Sequence, residues 1–360
     1  MSKKYLFVVS LLLAITTFLV ACSETEAADD QNGSGSNGEG EYELVVNNWT
    51  NSNHHYSYNV YEPWKELVEE KTDGRVTVTI HHGSSIGKSS SVYQDVSGGL
   101  YDLGFIVANY FYDTGFFPYT IGNLPFAFEG PEEAAKVLSD FGDKYAAEKL
   151  EDVEVLPGTA TDGYDLFATE PITSVDDLQG KKMRVNGKSE NAYVEALGGT
   201  PVSLSTEDTY EGLERGMVDT AFYTPIGAVG LSLHEPAPYI TKFSVSVTPI
   251  IPIMNKEFLA SLPDDLQTLF KEELNPKLTE LLTESYATEL ESSHEELKGL
   301  VEDRGEFIEL GEDEMEEFRE LGTSAWDAWI EDANSKGYDG QQMVDDFMKM
   351  LEEEGLNKPF

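Results

Sequence analysis

The chain has 360 residues, long for one ordinary domain but suited to two lobes and a leader, and its 40% apolar share can fill sizeable cores. Its formal net charge of −43 excludes the clustered Lys and Arg that phosphate neutralisation needs, so nucleic acid is not an expected partner. The acid is spread along the chain and densest in the C-terminal third, which reads as a solvated, self-repelling surface.

Lys3 and Lys4 open the chain, and an apolar run follows from Tyr5 to Val20, broken only by Ser10, Thr16 and Thr17. This is the pattern of a secretory signal peptide. The other reading, a membrane span, needs ~20 residues and the run is shorter. The run ends at Leu19-Val20-Ala21-Cys22, which resembles a bacterial lipobox and implies cleavage before Cys22 and a diacylglycerol on its sulfur. Cys22 is the only cysteine, so the mature fold has no disulfide, and lipidation accounts for an exported chain with one unpaired thiol. Residues 1–22 are therefore read as a lipoprotein signal. Residues 23–40 (SETEAADDQNGSGSNGEG) carry no bulky apolar side chain and read as a flexible linker.

The folded body is predicted from Glu41 onward. Tyr42 to Val46 reads as a strand, Tyr56 to Lys71 as a helix with Pro63 marking a kink or late start, and Arg75 to His81 as an alternating strand. Ser89 to Gly98 is predicted helical and Leu103 to Val107 an apolar strand. This rhythm predicts an α/β lobe with a largely parallel sheet. A second run of the same rhythm starts near Leu156. It has strands at Tyr164 to Ala168, Lys182 to Val185 and Val218 to Tyr223. Ser174 caps a short turn through Leu178, and helices at Glu190 to Leu197 and Asp208 to Arg215 are closed by glycines. Phe243 to Pro252 is an extended apolar segment able to cross back to the first lobe. A long helix is predicted over Lys277 to Arg304, then a strand at Glu306 to Leu310 and helices at Glu312 to Asn334 and Gly340 to Glu353.

Little in the chain carries catalysis. The histidine pairs His54-His55 and His81-His82 are sequence neighbours that point apart, and there is no HExxH pattern or EF-hand loop, so no metal is expected. No GxSxG elbow, P-loop or dinucleotide fingerprint occurs, so neither a cofactor nor enzymatic activity is expected. Anion recognition is the remaining chemistry. The five arginines are Arg75, Arg184, Arg215, Arg304 and Arg319. Four lie at turn, helix-end or acidic helical positions. Arg184 instead lies on a short strand ahead of Asn186-Gly187. Its planar fork matches a carboxylate, although a strand-end ion pair fits the pattern as well. Two α/β lobes with crossing connections suit a hinge-closing binding protein, and equally a two-domain enzyme.

Five ordered segments resemble one family. Pro171 through Val185, containing Asp177-Leu178-Gln179-Gly180-Lys181-Lys182-Met183-Arg184, is similar to the DLxGxKxR signature of the solute receptors of tripartite ATP-independent periplasmic (TRAP) transporters, the DctP type. Leu197-Gly198-Gly199-Thr200-Pro201-Val202, the stretch Tyr210 to Asp219, the turn Gly99 to Gly104 and Leu124-Pro125-Phe126 match further family segments in order. The resemblance implies an α/β two-lobe periplasmic-binding-protein-like fold, with crossing strands and a long helix spanning both lobes. It implies a ligand closed into the cleft and delivered to TRAP membrane permease subunits. A receptor of an ABC importer or a sensor shares the architecture but not the five segments. The family's carboxylate-binding arginine falls on Arg184.

Two departures from the family pattern bear on the ligand. Gly163-Tyr164-Asp165-Leu166-Phe167 lacks the second arginine of many relatives, and Thr224 stands before Pro225 where many have Asn. These imply a monocarboxylate such as a hydroxy, oxo or aromatic acid. The expected wall of the site is Tyr164, Tyr223 and Thr224, with Trp49 and His54 after the first strand and Asn109 and Tyr110 at the C-terminal end of the Leu103 to Val107 strand. Lobe I is assigned residues 41–158 plus about 250–285, lobe II residues 159–249 plus about 286–335, and a C-terminal helix residues 336–360.

Overall fold

The computed structural model describes residues 41–360, so the signal segment, Cys22 and the linker lie outside the described residues. In chain order the strands are β1 (Tyr42–Asn48), β2 (Val76–His82), β3 (Leu103–Val107), β4 (Val153–Val155), β5 (Thr159–Ala160), β6 (Asp165–Ala168), β7 (Lys182–Val185), β8 (Thr200–Ser203), β9 (Thr220–Tyr223), β10 (Tyr239–Lys242), β11 (Pro249–Asn255) and β12 (Glu306–Glu309). They form two sheets. The first runs β2-β1-β3-β11-β4, with β5 also pairing β11. The second runs β12-β10-β6-β9-β7-β8.

Both sheets are mixed, which corrects the largely parallel expectation. In the first, β1 pairs in parallel with β2 and β3, but β11 is antiparallel to β3, β4 and β5. In the second, β7 pairs in parallel with β8 and β9, while β6 is antiparallel to β9 and β10. The reversed strands are those adjoining the crossings. A strand that enters from the other lobe arrives without a helical crossover to turn it round, so it runs against its neighbour.

Local chemistry sets the elements. Val76 and Val78 of β2 are buried between half-exposed threonines, as period-two alternation requires. Ser174 and Asp177 form a reciprocal capping box on the turn Val175–Leu178. Tyr56 to Lys71 is two pieces, a wide π turn over Tyr56–Tyr61 and an α-helix Glu62–Lys71 with Pro63 in its first turn. The helix Pro131–Tyr145 has no counterpart in the predicted elements. It buries Ala134, Val137, Leu138, Phe141 and Gly142 along one face. The long helix Asn275–Val301 packs on both the Tyr56–Tyr61 turn and the second-lobe helix Pro225–Gly230. Trp326 and Trp329 of the helix Glu312–Ser335 donate to Pro125 O at 3.0 Å and to Thr120 Oγ1 at 2.9 Å. Among the described residues no helix is long and apolar enough to cross a membrane.

Two crossing segments join the lobes side by side. Tyr164 N donates to Ser246 O at 2.8 Å, Val245 N to Tyr164 O at 3.1 Å, and Thr161 N to Thr248 O at 3.0 Å. A Cβ on Gly163 would lie 2.1 Å from Ser244 Oγ and 3.2 Å from Ser244 Cα, so the two crossings run close together here. Asp165 fastens the crossing to its surroundings. It accepts the N–H groups of Phe243 and Ser244 at 2.8 and 3.2 Å and meets His294 Nε2 of the long helix at 2.8 Å.

Asp162 lies on the same crossing, fully buried. One oxygen accepts the Ile226 N–H at 3.2 Å and the other has no partner among the described residues. Burial pushes its carboxyl well above the usual carboxylate range, the Asp165 charge adds to the rise, and the Ile226 N–H offsets only part of it. The folded chain therefore keeps a proton that the unfolded chain has released, and stability falls as pH rises above the unfolded value of 3.8. Asp162→Asn keeps the acceptor for Ile226 and removes the acid. The variant should be more stable than the wild-type chain near pH 8, with the gap closing toward pH 4. Urea unfolding at both pH values measures this, and a gap that widens on acidification would refute the assignment.

Candidate functional site

A cavity lies where the lobes and the crossings meet, with about 420 Å3 of atom-free space that is partly open to solvent. The first lobe contributes Trp49, His54, Tyr56 and Val107, and the second contributes Asn186, Thr206, Tyr223, Thr224 and Gly227. The crossings supply Thr161, Tyr164, Thr248 and Ile250, and the long helix supplies Tyr286. The wall is thus aromatic rings interleaved with neutral hydroxyls and one amide.

Arg184 sits immediately behind this wall. Strand β7 places it opposite Val202 of β8 and Ala221 of β9, inside the second sheet. It is 0% exposed. Nε donates to Leu204 O at 3.2 Å and Nη1 to Phe222 O at 3.2 Å, while Nη2 is buried with no partner among the described residues. The guanidinium lies over the Tyr223 ring, 5.0 Å from its centroid. Burial opposes its charge, yet the phenols of Tyr110, Tyr223 and Tyr164 and the Glu190 carboxylate hold its pKa above the ordinary arginine value. Among the described residues no carboxylate forms an ion pair with it. Glu190 instead accepts the Asn186 N–H at 2.9 Å, and burial raises its own carboxyl pKa although Arg184 pulls it down. The strand-end ion pair that the sequence left open is not formed.

The other polar groups are locked among themselves. Asn186 donates to the Tyr164 hydroxyl and, at 2.9 Å, to Thr248 Oγ1, which also shares a 2.6 Å hydrogen bond with Tyr164. Tyr56 and Tyr286 pair hydroxyl to hydroxyl. Trp49 donates to Phe105 O at 3.2 Å and meets Tyr56 edge to face. His54 accepts the Tyr56 N–H on Nδ1 at 3.3 Å, and burial pushes its imidazole down to about 3, so the ring is neutral. Thr224 is committed to Gly227, whose N–H it accepts at 3.0 Å.

Five of the eight residues expected at the site line the cavity: Trp49, His54, Tyr164, Tyr223 and Thr224. Arg184 and Tyr110 stand behind them, Tyr110 with its hydroxyl on Thr206. Asn109 does not line the cavity. It is buried and donates to Asn123 at 2.5 Å. Tyr56, Tyr286, Asn186, Thr206 and Thr248 were not among the expected residues. Only Asn186 carried a signal, standing two positions after Arg184. No group of three or more His, Cys, Asp or Glu arranged to hold a metal occurs among the described residues.

The family model for bacterial extracellular solute-binding protein, family 7 (DctP) matches residues 47–332. The C4-dicarboxylate-binding periplasmic protein DctP of Rhodobacter capsulatus is 27% identical over 57% of this chain and 62% of its own length, so this chain spans less than two thirds of that relative. The ectoine-binding periplasmic protein TeaA of Halomonas elongata is 24% identical over 83% of this chain and 89% of its own. Solved structures share the fold. A TRAP solute binding protein from Rhodoferax ferrireducens, in complex with copurified benzoate, superposes with a TM-score of 0.80 at 19% identity, covering 86% of this chain and 98% of that one. A marine metagenome TRAP solute binding protein specific for aromatic acid ligands, crystallised with 3-hydroxybenzoate, gives 0.80 at 24% identity over 88% and 99%. Since the family model takes in most of the two-lobe body, the chain belongs to the DctP family of bacterial extracellular solute-binding proteins.

Proposed function

We propose that the protein is an extracytoplasmic receptor that captures a small organic monocarboxylate in the cleft, without chemical change, and passes it to a TRAP membrane permease. The observation that carries this reading is the free Nη2 of a fully buried Arg184 beside an aromatic cavity. A guanidinium already fixed by two backbone carbonyls presents its remaining N–H groups in a preset direction, and a carboxylate oxygen is their natural acceptor. The ligand-binding set is Arg184 as anchor, with Tyr223, Tyr164, Thr224, Trp49 and His54 as walls and Tyr110 beside the anchor. Asn109 contributes to the contact between lobes.

The ligand class follows from charge. Among the described residues no Lys or Arg lines the cavity and His54 is neutral, so a second carboxylate would be buried with no cation to meet it. Relatives of the same fold hold benzoate, 3-hydroxybenzoate and mandelate, which agrees with an aromatic or hydroxylated monocarboxylate. Another relative holds succinate, so the fold itself does not impose the choice.

A thermal-shift panel of benzoate, 3-hydroxybenzoate, mandelate, pyruvate and succinate tests the reading. A ligand at 100 times its dissociation constant adds ~2.7 kcal/mol of stability. Aromatic or hydroxy monocarboxylates should raise the melting temperature and succinate should not. Arg184→Ala should weaken binding by more than ~2 kcal/mol, about thirtyfold. Arg184→Lys keeps a charge but loses the fork and should recover only part of it. Wild-type affinity in a folded Arg184→Ala variant would sink the proposal.

The membrane anchor is a separate proposal and rests on Leu19-Val20-Ala21-Cys22. Several acyl chains hold far more firmly than one, at ~0.8 kcal/mol per buried methylene. Cys22→Ser should abolish palmitate labelling and release the protein from the membrane fraction, and a serine variant that stays membrane-bound would argue against the lipid.

A further inference from the structure

Two adjacent residues of the second lobe, Thr206 and Glu207, grip the first lobe at one edge of the cleft. They lie between β8 and the helix Thr209–Glu214. Glu207 Oε1 accepts the Ser89 N–H at 3.3 Å and the Ser89 hydroxyl at 3.0 Å, and Oε2 lies 3.1 Å from the same hydroxyl. Ser89 is fully buried. Among the described residues these are the carboxylate's only hydrogen bonds, so Glu207 gives nothing by hydrogen bonding to its own lobe. Next to it, Thr206 N donates to the Tyr110 hydroxyl at 2.9 Å, and Thr206 Oγ1 shares a second 2.9 Å hydrogen bond with that hydroxyl. A third contact completes the seam. A Cβ on Gly187 would lie 2.8 Å from Asn109 O, so the lobes approach there backbone to backbone.

Thr206 lines the cavity and Glu207 does not. Thr206 shares that wall with Tyr223, whose ring lies under the Arg184 guanidinium at 5.0 Å. The contacts across the seam therefore run from Ser89 to Glu207 and, one residue on, from Thr206 to Tyr110, at the wall that backs onto the anchor.

We infer that Glu207 is a positioning residue that clasps the closed cleft: by holding Ser89 it seats Thr206 against Tyr110 and sets how long a carboxylate stays on Arg184. The ligand in this inference rests on the carboxylate-receptor reading, but the geometry of the clasp does not. Hydrogen bonds to an ionised acceptor are about twice as strong as neutral ones, and these form only when the lobes meet. They contribute to the closed state alone, so their loss appears as faster release rather than slower capture.

The chain's only cysteine is Cys22, which makes distance labelling direct. In the full chain carrying Cys22→Ser, Leu100→Cys and Met217→Cys put spin labels on exposed positions of the first and second lobes, 59% and 46% exposed. With saturating benzoate the parent chain should show one short distance. Adding Glu207→Ala should bring in a longer-distance population and speed benzoate dissociation about tenfold, the loss of a charge-assisted hydrogen bond. Glu207→Gln should fall between the two. Unchanged distances and an unchanged dissociation rate would overturn the clasp, as would a lower ligand-free melting temperature with both readouts unmoved. If the parent chain binds neither benzoate nor any acid of the panel, the receptor reading fails. The ligand-free distances then judge the clasp by themselves: broadening in Glu207→Ala supports it and identical distributions reject it.

Discussion

The cavity wall is built against one buried cation, Arg184, the only Lys or Arg buried among the described residues. A guanidinium taken out of water loses several kcal/mol of solvation, and the protein returns part of this with two backbone carbonyls, the face of Tyr223 and the fields of Tyr110, Tyr164 and Glu190. It supplies no paired carboxylate. At an effective dielectric near 20, a carboxylate about 4 Å away is worth about 4 kcal/mol to such a group. The surface acid that gives the chain its net charge of −43 acts through solvent and is screened within about 8 to 10 Å at ordinary salt. On the proposed reading, a strongly acidic protein can hold one strongly anion-seeking point, because burial separates the two electrostatic regimes.

The position of that point follows from sheet topology. Strand β7 lies between β8 and β9, so the Arg184 side chain is enclosed by neighbours that the register fixes, and carbonyls of Leu204 and Phe222 are within reach. The strand ends at Val185, and Asn186 then ties the crossings together through Tyr164 and Thr248. Arg184 and the residue that joins the two crossings stand two positions apart in sequence. Gly187 allows a backbone approach to Asn109 that a Cβ would block, and Gly163 lets the crossings run close beside Ser244.

Much of this is legible in the sequence, and the failures have physical causes. β3 and β7 fall where alternation and apolar runs put them, because strands buried inside a sheet have little freedom of register. Strand direction is not legible. It depends on which lobe a strand comes from, and no residue of β11 records that. The helix Pro131–Tyr145 does carry a signal, with Pro131 in its first turn and apolar residues at 134, 137, 138 and 141, but the segment before it has no regular period to set it off. Arg184 stands out because the chain has only five arginines and the other four have evident surface roles. Tyr56 and Tyr286 do not, because a tyrosine on the inner face of a helix has the same spacing whether it meets a core or a cavity. Asn109 lies at the predicted strand end, yet its amide turns to Asn123, a choice made by packing and not by position.

The composition of the cavity also bears on how recognition and closure are related. A receptor that closes only when filled must gain contacts in the closed state that depend on the ligand. Here Arg184 belongs to the second lobe, while Tyr110 belongs to the first and meets the second through Thr206. On the proposed reading, a carboxylate beside Arg184 lies between groups from both lobes, so neutralising the cation and joining the lobes become one event. A neutral solute of the same shape would fill the aromatic walls but leave Nη2 without a charged acceptor and the two lobes without a shared partner. Charge would then act twice, first selecting the ligand and afterwards deciding whether the cleft shuts.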